Sequence, residues 1–286
     1  MDGTGKGIKD PAKDVLIADS AEKTTRGKSF GIVRMLDTLG SVVGPLLLFA
    51  LLYFLKGSDR IYHYILLFAA LPLVVTLIIL VLKVREPETR TSETIIASSS
   101  GQKLPRSFYI FLAITILFTL GNSSDAFLIL RAKNLGMTLL EIPLVIAFFN
   151  LVYAATAVPL GILSDKIGRI PTMFFGWTAY AIVYLGFALA TNSFAVWFLY
   201  GFYGIYYATS QGVAKAFLAD MVSTGHRGKA FGIYGTVVGI TTLPASFFGG
   251  FLWDTFGPQA PFYFGASMAI TATILLAMLS RQLRQV

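Results

Sequence analysis

Apolar side chains along this chain fall into long uninterrupted blocks, and polar ones collect in the short gaps between them. Four blocks lie near residues 31 to 55, 62 to 82, 108 to 130 and 139 to 163. Four more lie near 171 to 190, 195 to 218, 230 to 253 and 261 to 280. A bilayer core about 30 Å thick takes roughly 20 apolar residues of helix, so the pattern predicts eight membrane-spanning helices with short connections. The run Leu66-Leu67-Phe68-Ala69-Ala70-Leu71-Pro72-Leu73-Val74-Val75 does not alternate, which argues against the strands of a membrane barrel. The expected fold class is an all-α integral membrane bundle.

Composition agrees, because 55% of the 286 residues are apolar and 13% are charged, against about 25% charged in soluble domains. The net charge of +8 raises nucleic acid as a partner until its placement is followed. Lys6, Lys9, Lys13, Lys23, Arg26 and Lys28 precede the first span, and Lys83, Arg85, Arg90, Lys103 and Arg106 follow the second. Lys166, Arg169, Arg227, Lys229, Arg281 and Arg284 fall on the same side, making seventeen, against Lys56, Arg60, Arg131 and Lys133 on the other. That is a positive-inside pattern. It places both termini and the stretch 83–106 in the cytoplasm, and it leaves no call for nucleic acid. Cysteine is absent, so there is no thiol chemistry. The polar residues 1–20 do not read as a cleavable signal peptide.

Arg26-Gly27-Lys28-Ser29-Phe30-Gly31-Ile32 recurs 201 positions later as Arg227-Gly228-Lys229-Ala230-Phe231-Gly232-Ile233. At the same offset Ala18-Asp19 falls on Ala219-Asp220. An even number of spans separates the copies, so both face one side, as in a parallel repeat about an axis along the membrane normal. Four spans precede the second copy and none the first, which leaves about 94 residues of a six-helix unit unaccounted for. The expected domains are therefore 1–82, a remnant of an N-terminal bundle; 83–106, a cytoplasmic linker; and 107–286, a six-helix C-terminal bundle.

Between the fourth and fifth spans stands Gly161-Ile162-Leu163-Ser164-Asp165-Lys166-Ile167-Gly168-Arg169. Its glycines permit a tight turn, and Asp165 can sit against a helix N-terminus, where negative charge is favoured. The spacing resembles the cytoplasmic signature of the major facilitator superfamily, although Ile170 stands where a second basic residue is common. The resemblance covers the whole chain and implies that its eight spans correspond to helices 5–12 of a twelve-helix transporter in a bacterial-type cytoplasmic membrane. It further implies that the Asp165 loop latches one bundle to the other, with its partner around Arg26 and Lys28. Asp19, Asp220 and Arg227 join this gate through the repeat. Gly40-Ser41-Val42-Val43-Gly44-Pro45 resembles the glycine-proline motif of exporters in the superfamily; helix packing of small residues explains it about as well. Gly3-Thr4-Gly5-Lys6-Gly7 is not a phosphate loop, because Ile8 follows and no strand precedes. Coupling would then come from an ion gradient rather than from ATP.

Charged groups inside spans default to function, each with a partner. Arg34 and Asp37 share a helix face and can pair or serve proton coupling. Asp125, on one face with Asn122 and beside Ser123, is the sharper candidate for carrying a proton. Tyr203, Tyr207, Gln211 and Lys215 form a stripe on the sixth span that could line a substrate cavity, with Asn150 and Tyr153 a weaker pair on the fourth; packing is the competing reading. His63 and His226 lie near opposite faces, so no metal site is expected, and no cofactor. Neither a nucleophile with its base nor a metal cluster is present, which argues against an enzyme. The sequence is thus read as a secondary transporter of small organic molecules, exporting them in exchange for protons across the lipid bilayer. A channel or a non-transporting scaffold is the alternative.

Overall fold

The computed structural model describes residues 2–55, 63–66, 70 and 104–280. Lipid offers backbone groups no hydrogen bonds, so a spanning chain must satisfy them internally. The described residues accordingly form helices: α1 (Asp2–Ser20), α2 (Arg26–Phe54), α3 (Arg106–Gly121), α4 (Ala126–Asn134), α5 (Glu141–Ile167), α6 (Arg169–Leu189), α7 (Ser193–Met221), α8 (Arg227–Phe256) and α9 (Ala260–Met278). A single 3-10 turn, Lys23–Thr25 or Thr224–His226, precedes each Arg-Gly-Lys copy. Among the described residues, six helical stretches are long and apolar enough to cross a membrane: Lys23–Phe54, Arg106–Asn134, Glu141–Ile167, Arg169–Leu189, Thr224–Phe256 and Ala260–Met278. The 29-residue α7, with Gln211 and Lys215 on it, stands outside that set. All but a few residues of the expected span at 62–82, and almost all of the linker 83–106, lie outside the described residues.

The span expected at 108–130 is not continuous. Helix α3 stops at Gly121 and α4 starts at Ala126, because Asn, Ser and Asp side chains compete for backbone groups and oppose helix interiors. Ser124 Oγ accepts the Ala126 N–H at 3.3 Å. Part of the loss at the break is made good from α6, where the Tyr180 hydroxyl donates to the Gly121 carbonyl at 3.0 Å. The short α4 is anchored by Arg131, which is 3% exposed. Its guanidinium donates to the Phe187 carbonyl at 3.0 Å, the Ala190 carbonyl at 2.9 Å and Asn134 Oδ1 at 2.6 Å, filling acceptors that a helix C-terminus leaves open.

Helix α2 packs along α5, and the contact is close because glycines line it. A Cβ on Gly31 would come 2.6 Å from the Ala157 carbonyl oxygen, and one on Gly27 would strike the Ser164 hydroxyl and the Arg169 guanidinium. Gly168 closes the α5–α6 turn at φ +98°, a conformation that other residues rarely adopt. Two further contacts are equivalents under the 201-residue repeat: α1 lies against α8, and the end of α7 lies against α2. The α2–α5 contact has no such equivalent among the described residues. Among the described residues, Gly228 and Gly232, which match Gly27 and Gly31, have open space around them, as do Gly40 and Gly44 on α2.

Gly31→Val is expected to destabilise the protein by about 1–3 kcal/mol, since the Ala157 backbone cannot yield. Gly40→Val is expected to stay within ~0.5 kcal/mol. Thermal unfolding in detergent micelles reads both; equal effects would show that the α2–α5 approach is not as close as described.

Candidate functional site

At the end of the bundle where the Arg-Gly-Lys copies start, charged side chains from four helices and the residues before them interlock. Arg26 Nη1 donates to Asp220 Oδ1 at 2.6 Å, and Arg169 Nε donates to Asp220 Oδ2 at 3.0 Å. Arg169 also donates to Asp165 Oδ1 at 2.5 Å and to Ser164 Oγ at 2.7 Å. The two Asp165 oxygens in turn accept the backbone N–H groups of Gly27 and Lys28, each at 2.9 Å. Those donors belong to the first turn of α2, where N–H groups lack helical partners and favour an anion. Lys166 and Lys28 themselves stay exposed around this core.

The repeat is visible in the pairing. Arg26 crosses to Asp220 of the second copy, while Arg227 crosses to Asp19 of the first. Both arginines also donate to the Ala18 carbonyl, at 3.2 and 3.1 Å. Deeper along the same axis Lys215 pairs with Asp14, and these two positions are themselves 201 apart. An ion pair between repeat-equivalent residues lies where the two copies meet. Asp37, expected opposite Arg34, instead accepts Lys13 of α1 at 2.7 Å, because α1 brings an ammonium within reach from outside the helix.

About 15 Å along α7 from Asp220, by helical rise, is a cavity of about 290 Å³. Asn122, Ser123 and Asp125 from the α3–α4 break line it, together with Tyr207, Ser210 and Gln211 of α7. The Asp125 carboxylate opens into it and accepts the Tyr203 hydroxyl at 2.7 Å and the Tyr207 hydroxyl at 3.0 Å. The Phe118 and Trp177 rings, also in the lining, stack with centroids 4.5 Å apart. An acidic group with phenol donors beside an aromatic wall can hold a proton or an organic cation.

Comparison with known proteins places this arrangement. The profile of the Major Facilitator Superfamily matches residues 1–130 and again residues 108–285. The chain belongs to the Major Facilitator Superfamily. An uncharacterized MFS-type transporter of Methanocaldococcus jannaschii is 37% identical over 282 residues, covering 96% of this chain and 69% of the relative. The multi-drug resistance efflux pump PmrA of Streptococcus pneumoniae is 35% identical over 115 residues, covering 40% of this chain and 29% of the pump. The human organic anion transporter MFSD10 (TETRAN) superposes with a TM-score of 0.66 at 14% identity, over 93% of this chain and 67% of that one; this likeness shows the fold alone. Members of the superfamily are transporters rather than enzymes and carry small molecules across a lipid bilayer, so the chain is an integral membrane protein.

Within this superfamily frame the expected site residues separate into three groups. Arg26, Asp165, Arg169 and Asp220 form one interlocked set, with Asp19 and Arg227 beside it. Asn122, Ser123, Asp125, Tyr207 and Gln211 share the cavity, and Tyr203 reaches it through Asp125. Lys215 sits with Asp14 instead of in the cavity, and Asn150 donates to the Ile146 carbonyl of its own helix at 2.9 Å. Tyr153 packs against Tyr207, ring centroids 5.5 Å apart. The sequence reading missed Asp14, Trp177 and Ser210. Asp14 had a signal, since it lies at the repeat offset from a lysine; the others look like any residue on an apolar helix.

Each of Asp14→Ala and Lys215→Ala is expected to cost about 3–5 kcal/mol by leaving a buried charge alone. Because the positions are equivalent, the exchange Asp14→Lys with Lys215→Asp is expected to recover most of that loss. Thermal unfolding of the four proteins measures the coupling, and additive losses would show that the pair contributes nothing across the repeat.

Proposed function

We propose that this chain forms the working part of a secondary active exporter of small organic molecules, driven by exchange with protons. The observation that carries the reading is Asp125. It stands at an interruption of a membrane helix, holds two tyrosine hydroxyls and opens into a cavity. Discontinuous spans at the membrane midplane serve as binding elements in secondary transporters. The efflux pump among the relatives supports export as the direction.

In this reading the interlocked charges lie at the cytoplasmic face, and the arrangement is the outward-facing one, closed below the cavity. Asp125 loses its proton on one side, takes up a cationic substrate, and is reprotonated on the other as the two bundles rock about the cavity. Asp37 and Arg34 are the second choice for coupling. Residues 1–82 belong to the first bundle, 83–106 link the bundles in the cytoplasm, and 107–286 form the second bundle. The chain spans 69% of one relative and 29% of another, so the test compares it with a longer form carrying upstream residues.

Inverted vesicles with an imposed proton gradient are expected to accumulate a fluorescent organic cation supplied on the outside, and only while the gradient lasts. Asp125→Asn is expected to reduce it by about 100-fold or more, the range for loss of a group that moves a proton. Transport that persists undiminished in Asp125→Asn would overturn the assignment. If only the longer form transports, the remaining helices of the first bundle are needed for activity.

A further inference from the structure

The cavity wall at the α3–α4 break carries more hydrogen-bond acceptors than the protein fills. Among the described residues, the Asn122 and Ser123 carbonyls have no backbone N–H partner, because the N–H groups of Ala126 and Phe127 turn to Ser124 instead. Ser123 and Ser210, 7% and 6% exposed, line the cavity, and among the described residues their hydroxyls have no partner within hydrogen-bond range. Each Asp125 oxygen accepts one phenol and keeps capacity for another donor. An acceptor shut away from water with no donor is unfavourable until a ligand supplies one. Beside the break the lining is aromatic: Phe118 and Trp177 stack at an interplanar angle of 16°, and the Tyr206 hydroxyl accepts from Asn122 Nδ2 at 3.4 Å.

We propose that this cavity recognises a protonated primary or secondary amine carried on a flat aromatic body. The ammonium N–H groups are donated to Asp125, the Ser123 and Ser210 hydroxyls and the carbonyls of the break, and the ring lies against Trp177 and Phe118. This deepens the exporter reading and rests on its identification of the cavity as the substrate site. A quaternary ammonium would satisfy the charge and the rings but leave the acceptors empty, and a site built to hydrogen-bond its ligand rejects analogues that lack the donor. A neutral molecule would leave the carboxylate uncompensated. The volume of about 290 Å³ lies at the lower end of the ~300–1,000 Å³ of ligand pockets, which favours a compact amine over a large drug.

The test uses the full chain in lipid nanodiscs and reads tryptophan fluorescence on titration with phenethylammonium, phenethyltrimethylammonium or 2-phenylethanol. Phenethylammonium is expected to bind at least about tenfold more tightly than its trimethyl analogue, and the alcohol not measurably. Ser123→Ala is expected to weaken the amine by about three- to tenfold and to leave the trimethyl compound unchanged. Equal or tighter binding of the trimethyl compound, an equal effect of Ser123→Ala on both, or no binding by any of the three overturns the inference. Failure of the exporter reading looks different: the amine then binds in this order, yet no gradient-driven transport depends on Asp125.

Discussion

A charge taken out of water must find an opposite charge and enough hydrogen bonds to replace its hydration, and in this protein that demand is met where the two repeats cross. Asp220 accepts from Arg26 of the first copy and from Arg169 of the turn between α5 and α6. Asp165 holds Arg169 on one side and the amino end of α2 on the other. Each group therefore fixes another, and the helices that carry them inherit the spacing. The close approach of Gly27 to Gly161 follows from it, since Asp165 can reach both N–H groups of α2 only if no side chain stands between the backbones.

That closure is tight at the charged end and gives way to cavity farther along α7. The cavity exists because the segment Arg106–Asn134 does not remain helical through Asn122-Ser123-Ser124-Asp125. Unpaired backbone at membrane depth is tolerated only where it lines a cavity or is buried in protein, and here it does the former. Tyr180 from α6 bonds the end of α3, and Arg131 near the far end of α4 bonds the end of α6, so both half-helices are tied to the same neighbour. The arrangement joins a bonded frame to a locally underbonded wall.

The two copies of the repeat differ only at Ser29 and Ala230 within their seven residues, yet their surroundings are unequal. Gly27 and Gly31 are covered by α5, while Gly228 and Gly232 meet open space among the described residues. Equal local sequence thus produces the same helix start in both places, each after a 3-10 turn. What differs is the neighbour, which the local sequence does not encode.

Much of the architecture was legible in the chain alone. Long apolar blocks dictate helices in lipid because no other open structure satisfies its own backbone there, and the 201-residue offset announced a parallel repeat. The glycine-aspartate-arginine loop pointed to the superfamily, because its spacing is local. Other features were not legible. The interruption at Asn122 was read as one smooth span, since its flanks are apolar enough to mask four weak helix formers. Asp37 was matched with Arg34, because periodicity knows only neighbours on the same helix and not Lys13 on another. Nothing in the sequence distinguishes Trp177, which walls the cavity, from Trp197, which does not. The sequence determined the helices, the repeat and the family, all of which depend on residues close together in the chain. Only the tertiary structure decided which charges pair, which polar groups stay unpartnered and which rings face the cavity, because those depend on distances between helices that the chain order does not contain.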